Sequence, residues 1–403
     1  MSAAAARHTV PGVYVEEVSV VAPPIAGRPS GVPVFVGRTA TAVQSGRNVS
    51  GVPVRIASLA EFESVYGGVG EHPVPRTGSM HEAVRLFVAN GGGPCWVIST
   101  GSTAAAFRAG DVLAILPTLA KCEEPDLVVV PESAWAGSEV YGLQQALLEL
   151  CAARPDRLLL TEPLAFLERD RAFDWRAGVK EFRARHAALP VRLRRAGAAY
   201  VPVLEVAGGR TVSPCPAVAG MMASLDRTQG VWKSPAGIAL AGVKAPAVAI
   251  DARQQETLNV DAATGLSVNA IRSFPGRGSL VYGARTLAGN DAEWRYVAVR
   301  RFVGWLEASI TEGLARWVVF EPNNENLWIR VRRAVEDFVA ALWRRGALQG
   351  TKPDEAFHVR CGLGSTMTEQ DVLTGRAIVE IGVACVRPAE FVIVRIHLRT
   401  SGA

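Results

Sequence analysis

Apolar and polar positions alternate with a period of two in several short stretches of the chain. Residues 13 to 18, VYVEEV, are β-branched and nearly alternating, which predicts a strand. Pro23, Pro24, Gly27 and Pro29 then separate that strand from the rest of the chain, because proline fixes φ and withholds a donor. An isolated strand has an unpaired edge, which natural proteins cover, so another part of the chain or another copy completes it. VPVFVG (32–37), VPVRIAS (52–58) and CWVIST also predict strands. LAEFESVYGG predicts a short helix ended by Gly67 and Gly68, and a second helix runs from about His81 to Ala89 and stops at the turn NGGGP.

Between residues 126 and 206 the pattern changes to apolar runs alternating with helical stripes. DLVVVP, RLLLTEP and AAYVPVLEV read as strands. Residues 138 to 153 place Val140, Leu143, Leu147, Leu150 and Cys151 on one helical stripe, and residues 172 to 187 form a second helix. Such alternation implies βαβ units and a parallel sheet covered on both faces. The expected division is an N-terminal arm over 1–24, an α/β domain over 25–265 and a C-terminal α+β domain over 266–403. In that last part SLVYGARTL, WRYVAV and RWVVFE read as strands and residues 300 to 312 as a helix. A long helix from Glu325 to Arg345, capped by Asn323 or Asn324, carries an apolar stripe of Leu327, Val331, Val335, Phe338 and Leu342. Arg332 with Glu336 and Arg333 with Asp337 are spaced for i,i+4 ion pairs, worth about 0.2–0.5 kcal/mol each. AIVEIGVACV and EFVIVRIHL close the chain as strands.

Composition is that of a folded soluble protein: 403 residues, 49% hydrophobic and 20% charged. No secretory signal and no membrane span are expected, since Glu16 and Glu17 interrupt the start and no window holds about eighteen uncharged apolar residues. The net charge of +5 is too mild for a nucleic-acid footprint. It is concentrated late, with 18 Lys and Arg against 14 Asp and Glu over residues 266 to 403, which suits a basic face meeting an acidic partner. Six scattered cysteines with no C-x-x-C pair, and six histidines without ligand spacing, point to no metal. No cofactor is expected either, because no phosphate loop occurs and the glycines of NGGGPCW follow a helix instead of linking a strand to a helix. Gly364, Ser365, Thr366 and Met367 resemble the stretch around the nucleophile of subtilisin-like proteases, with Ser and Thr transposed. No histidine can be paired with them, and Ser365 or Thr366 as the cap of a short helix through TMTEQD is the better reading.

Several long stretches, in order and across nearly the whole chain, resemble signatures of contractile-tail sheath proteins. They are PGVYVEEV, FVANGGGPCWV, VAGMMASLDRTQGVWKSPAG, VNAIRSFPGRGSLVYGARTL, EWRYVAVRRF, RWVVFEPNNENLW, STMTEQD and VRPAEFVIVRI. The chain departs from that family at Gly237, Ala270 and Tyr282, where asparagine, proline and tryptophan are common. The resemblance implies an α/β fold class: a doubly wound, subtilisin-like but non-catalytic domain, a C-terminal α+β domain and extended N- and C-terminal arms. It also implies a structural protein and not an enzyme, assembled in the cytoplasm into a phage tail or tail-like particle. Val13, Tyr14, Val15, Glu16, Glu17 and Val18, with Phe391, Val392, Ile393, Val394, Arg395 and Ile396, become strands exchanged between subunits. The implied partners are further copies in a helical polymer of stacked rings, an inner tube, and baseplate and terminal cap proteins. Arg330, Arg333 and Arg344 are the candidate contacts to the tube. Residues 10 to 30 and 386 to 400 are expected to act as hinges. The alternative from another class, an α/β hydrolase, lacks every catalytic element searched for.

Overall fold

The apolar runs and helical stripes take up a mixed α/β architecture in a computed structural model that describes residues 23–68, 80–165 and 174–388. β1 (Pro33–Thr39) precedes a small hairpin of β2 (Val43–Gln44) and β3 (Arg47–Asn48), then β4 (Val54–Ile56), α1 (Leu59–Tyr66), α2 (Met80–Ala89) and β5 (Cys95–Ser102). Next come α3 (Ala109–Ala114), α4 (Leu116–Lys121), β6 (Leu127–Val129), α5 (Val140–Ala152), β7 (Leu158–Thr161), α6 (Trp175–His186), α7 (Val191–Arg194) and β8 (Gly197–Val201). β9 (Leu204–Val206) and β10 (Arg210–Val212) lead to α8 (Cys215–Thr228), β11 (Ile238–Ala239), β12 (Ala245–Pro246), α9 (Ala252–Asn259), β13 (Asn269–Phe274) and β14 (Gly278–Val281). The last segment holds α10 (Val297–Val318), α11 (Glu325–Arg344), α12 (Pro353–Ala356), β15 (Phe357–Arg360), α13 (Glu369–Leu373) and β16 (Glu380–Val383).

Nine strands form one sheet in the order β11-β14-β13-β8-β7-β6-β1-β5-β4. The pairs from β5 through β1, β6, β7 and β8 to β13 are parallel, and antiparallel strands close both edges. β6, β7 and β8 are buried at every residue, which is why they read as unbroken apolar runs instead of alternating ones. Their side chains divide between two cores. Phe35, Val129, Leu160 and Tyr200 pack with α1, α2 and α8, while Val34, Val128, Leu159 and Ala199 pack with α3 to α7 and α9. AAYVPVLEV is not one strand: it breaks at the cis Val201–Pro202 bond, and β9 joins β10 and β12 in a separate sheet.

The nine-stranded sheet continues past residue 265. β13 pairs with β8 and β14 with β13, so residues through Val281 belong to the body and the expected domain boundary falls too early. Two further strand expectations also give way. WRYVAV contributes only an isolated bridge at Tyr296 before α10 begins, and the first half of RWVVFE is the last turn of that helix. The helical stripe Phe302, Leu306, Ile310 continues through Leu314 and Trp317 into a core shared with α11, and this packing overrides the β-propensity of the valines. The early part of α10 shares one core with Val339 and Leu342, whereas Leu314 and Trp317 share another with Leu327 and Val331, so the two helices run antiparallel.

A buried ion cluster fastens α10 to the body. The Arg301 guanidinium donates to Asp126 Oδ2 at 2.9 Å and to both oxygens of Asp226 at 2.9 and 2.6 Å. Asp126 also accepts from the backbone of Gly31 and Val32. One turn on, Gly304 lies against the carbonyl of Pro155, where a Cβ would collide with backbone.

Candidate functional site

The described residues form a small two-stranded sheet beside α11. Phe357, Val359, Ile381 and Val383 alternate along β15 and β16 and lie against the α10–α11 core, while His358, Arg360 and Glu380 are exposed. The register pairs Phe357 with Val383 and Arg360 with Glu380, and the Leu348–Cys385 bridge extends one end. Two strands alone are marginal in water, and among the described residues neither flanking edge carries a further strand. The exchange candidates Val13 to Val18 and Phe391 to Ile396 lie outside the described residues.

Asn324 caps α11 by accepting from the Leu327 N–H at 3.2 Å, and Gly346, at φ 80°, ends it. At 100° per residue, Arg330, Arg333 and Arg344 share an arc of about 60° on its polar face. Their surroundings differ. Arg330 is half-buried, 3.2 Å from Glu321 and stacked 4.9 Å from the Trp317 ring centre, so it is already engaged within the chain. Arg333 and Arg344 are exposed and form no ion pair among the described residues. The i,i+4 pairs expected at Arg332–Glu336 and Arg333–Asp337 do not close within ion-pair distance either, because solvated side chains lose more rotamer freedom than so weak an attraction returns. Beside this face, Phe320 in the α10–α11 turn is fully exposed at φ 71°, an unusual conformation for a bulky residue.

At the carboxyl ends of the parallel strands, where doubly wound enzymes hold ligands, side chains of this chain close on one another. Arg38 donates through its backbone N–H and Nε to the Glu132 carboxylate at 3.0 and 2.9 Å. Glu82 is held by Arg85 and Arg210. Glu162, fully enclosed, accepts from Ser133, Ser213 and Cys215 at 2.8 Å each. Burial and the adjacent Glu162 carboxylate push the Cys215 thiol well up, the reverse of what activates a nucleophile. Among the described residues no group of three or more His, Cys, Asp or Glu is placed to hold a metal. Neither Ser365 nor Thr366 caps α13: Thr368 does so in a capping box with Asp371, and the Thr366 hydroxyl donates to the Ile378 carbonyl. No helix of the described residues is long and apolar enough to cross a membrane.

Two features are not foreseen from the sequence. Phe320 carries no local signal beyond its place between two helices. The Arg301 cluster does carry one: an arginine pair inside YVAVRRFVGWL marks charge on a buried stripe, and such charge needs partners.

Residues 290–399 match the phage tail sheath C-terminal domain family. The tail sheath protein of Vibrio phage KVP40 is 29% identical over 109 residues, 27% of this chain and 16% of that protein's length. The similarity to solved structures covers nearly everything. A chain of the anti-feeding prophage helical sheath in its contracted state is 30% identical, with 97% of this chain and 99% of that one covered at a TM-score of 0.74. A chain of the PVC sheath complex, an extracellular contractile injection system in its contracted state, is 29% identical over 97% of this chain and 98% of that one, again at 0.74.

Proposed function

This chain belongs to the contractile tail sheath protein family, a structural sheath subunit of contractile injection systems and phage tails, and we infer that it works by strand exchange and rigid-body repacking. The observation that carries this reading is the two-stranded β15–β16 sheet, which has no further strand on either edge among the described residues. Val13 to Val18 of one neighbour and Phe391 to Ile396 of another complete it by β-augmentation. A contact of this kind is heterologous, so it propagates into rings and a helical polymer.

The polymer forms in the cytoplasm around an inner tube, between a baseplate and a terminal cap, in an extended state that stores energy from assembly. Contraction shortens and widens it and drives the tube through an envelope, with no nucleotide and no catalysis. The body, read as doubly wound and extending through Val281, moves with α10 as one piece because Arg301 ties them together. Arg333 and Arg344 face acidic groups on the tube, and Arg330 serves the fold instead.

Electron microscopy of the purified full chain, beside a version lacking residues 1 to 22 and with and without the tube protein, tests this. Hollow helical tubes from the full chain and only monomers or broken rings from the truncation are expected. A full chain that stays monomeric at high concentration even with the tube protein sinks the polymer reading.

A further inference from the structure

The helices over the second core are polarised in charge along the sheet. Residues 109 to 149, which hold α3, α4 and α5, contain seven Asp and Glu against one Lys; Glu124, Asp126 and Glu132 are paired with Arg55, Arg301 and Arg38, while Asp111, Glu123, Glu139 and Glu149 form no ion pair among the described residues. Residues 174 to 195, which hold α6 and α7, contain seven Lys and Arg against two Asp and Glu; Arg183 and Arg185 are paired with Asp261 and Glu181, and α9 beside them adds Arg253 together with Asp251 and Glu256. α3 packs on β5 near one end of the sheet, α5 on β7 near its middle, and α9 on β13 near the other end. One layer therefore has an acidic end and a basic end. Asp111 and Glu123 are exposed at the first, Glu149 on α5 between the two, and Arg176, Lys180 and Arg192 at the second.

The basic end also has relief. A groove of about 560 Å³ between α6 and α9 has Trp175, Val179 and Leu258 in its floor and Arg176, Lys180 and Arg253 on its rim. The three rim cations form no ion pair among the described residues. The groove's own carboxylate, Asp261, is occupied by Thr264 and by Arg183 at 3.5 Å. The Trp175 indole N–H is buried there without a hydrogen-bond partner among the described residues.

We propose that this layer is a docking surface between bodies of two copies of the chain, the acidic α3–α4 end of one seating against the basic α6–α9 groove of the next. Self-complementary charge at opposite ends of one sheet identifies the occupant as a second copy. It also makes the contact head to tail, the type that propagates instead of closing as a dimer. The proposal rests on the sheath reading and adds to it a contact made by the folded bodies, independent of the arms. Exposed charges make the contact sensitive to salt.

The test uses the full chain with its tube protein and compares four proteins: the parent, Arg176→Glu with Lys180→Glu, Asp111→Lys with Glu123→Lys, and the chain carrying all four changes. Each pair alone should raise the concentration needed for assembly at least about tenfold, a difference of about 1.4 kcal/mol. The fourfold variant should return to the parent's value, which a merely structural role for these residues would not produce. Single-face variants that assemble like the parent, or a fourfold variant no better than either pair, overturn the proposal. A parent that forms no polymer removes the sheath reading and this contact with it.

Discussion

A single imidazole shows how burial at one residue becomes a property of the whole chain. His186 is buried against Phe182 and Tyr141, its Nδ1–H donates to the Phe182 carbonyl at 2.9 Å, and Nε2 has no hydrogen-bond partner among the described residues. Burial lowers its pKa, so the folded chain binds fewer protons than the unfolded one below pH of about 6.5. Its contribution is complete above that value and is lost as pH falls through the folded pKa. Thermal melts from pH 7.5 to 5 should show a drop in Tm that is shallower for His186→Phe, and equal slopes would refute the assignment. The sequence carries no sign of this burial, since a lone histidine in ARHAAL says nothing about its neighbours. The arginines of α11 are legible in type but not in role. Spacing groups Arg330 with Arg333 and Arg344, and only the packing of Trp317 beneath it sets Arg330 apart.

Helices and strands are legible where one period dominates. The α11 stripe, the α5 stripe and the runs that become β6, β7 and β8 all stand where the pattern puts them. The pattern misleads at RWVVFE, where local β-propensity competes with a helical stripe whose partner lies on α11, beyond any local window. Close approach between elements is equally hidden. A Cβ on Gly220 of α8 would run into the Phe87 carbonyl of α2, so Gly220→Ala should lower stability by about 1–3 kcal/mol in urea unfolding. Gly142 of α5 faces open space, and Gly142→Ala should raise stability by about 0.4–1 kcal/mol. If both substitutions moved the midpoint the same way, this account of α2–α8 packing would be wrong.

Across the molecule, the body and the C-terminal helices meet through few but deeply buried polar contacts. Arg301→Met would leave Asp126 and Asp226 facing each other without a cation, and should cost about 3–5 kcal/mol in chemical denaturation. A loss below about 1 kcal/mol would mean that the apolar contacts alone hold α10. The overall plan is legible because it rests on long matches spread over the chain, whereas the place where body and C-terminal part divide is not, since β13 and β14 join the sheet through strands distant in sequence. The Pro/Gly connector also differs from the expected hinge. From Ile25 it is anchored: Ile25 enters the α10 core, the Arg28 N–H donates to Ser309, and Trp305 donates to the Arg28 carbonyl at 2.7 Å. Arg28 further reaches Asp156 and Glu312. In the proposed sheath, tension along the arm would therefore pass at Ile25 into the side of a 22-residue helix, which is in turn bolted through Arg301 to the sheet. The pull would be shared by several contacts sheared at once, so within the subunit that owns the arm the load would reach the nine-stranded sheet without passing through that subunit's β15–β16 pair.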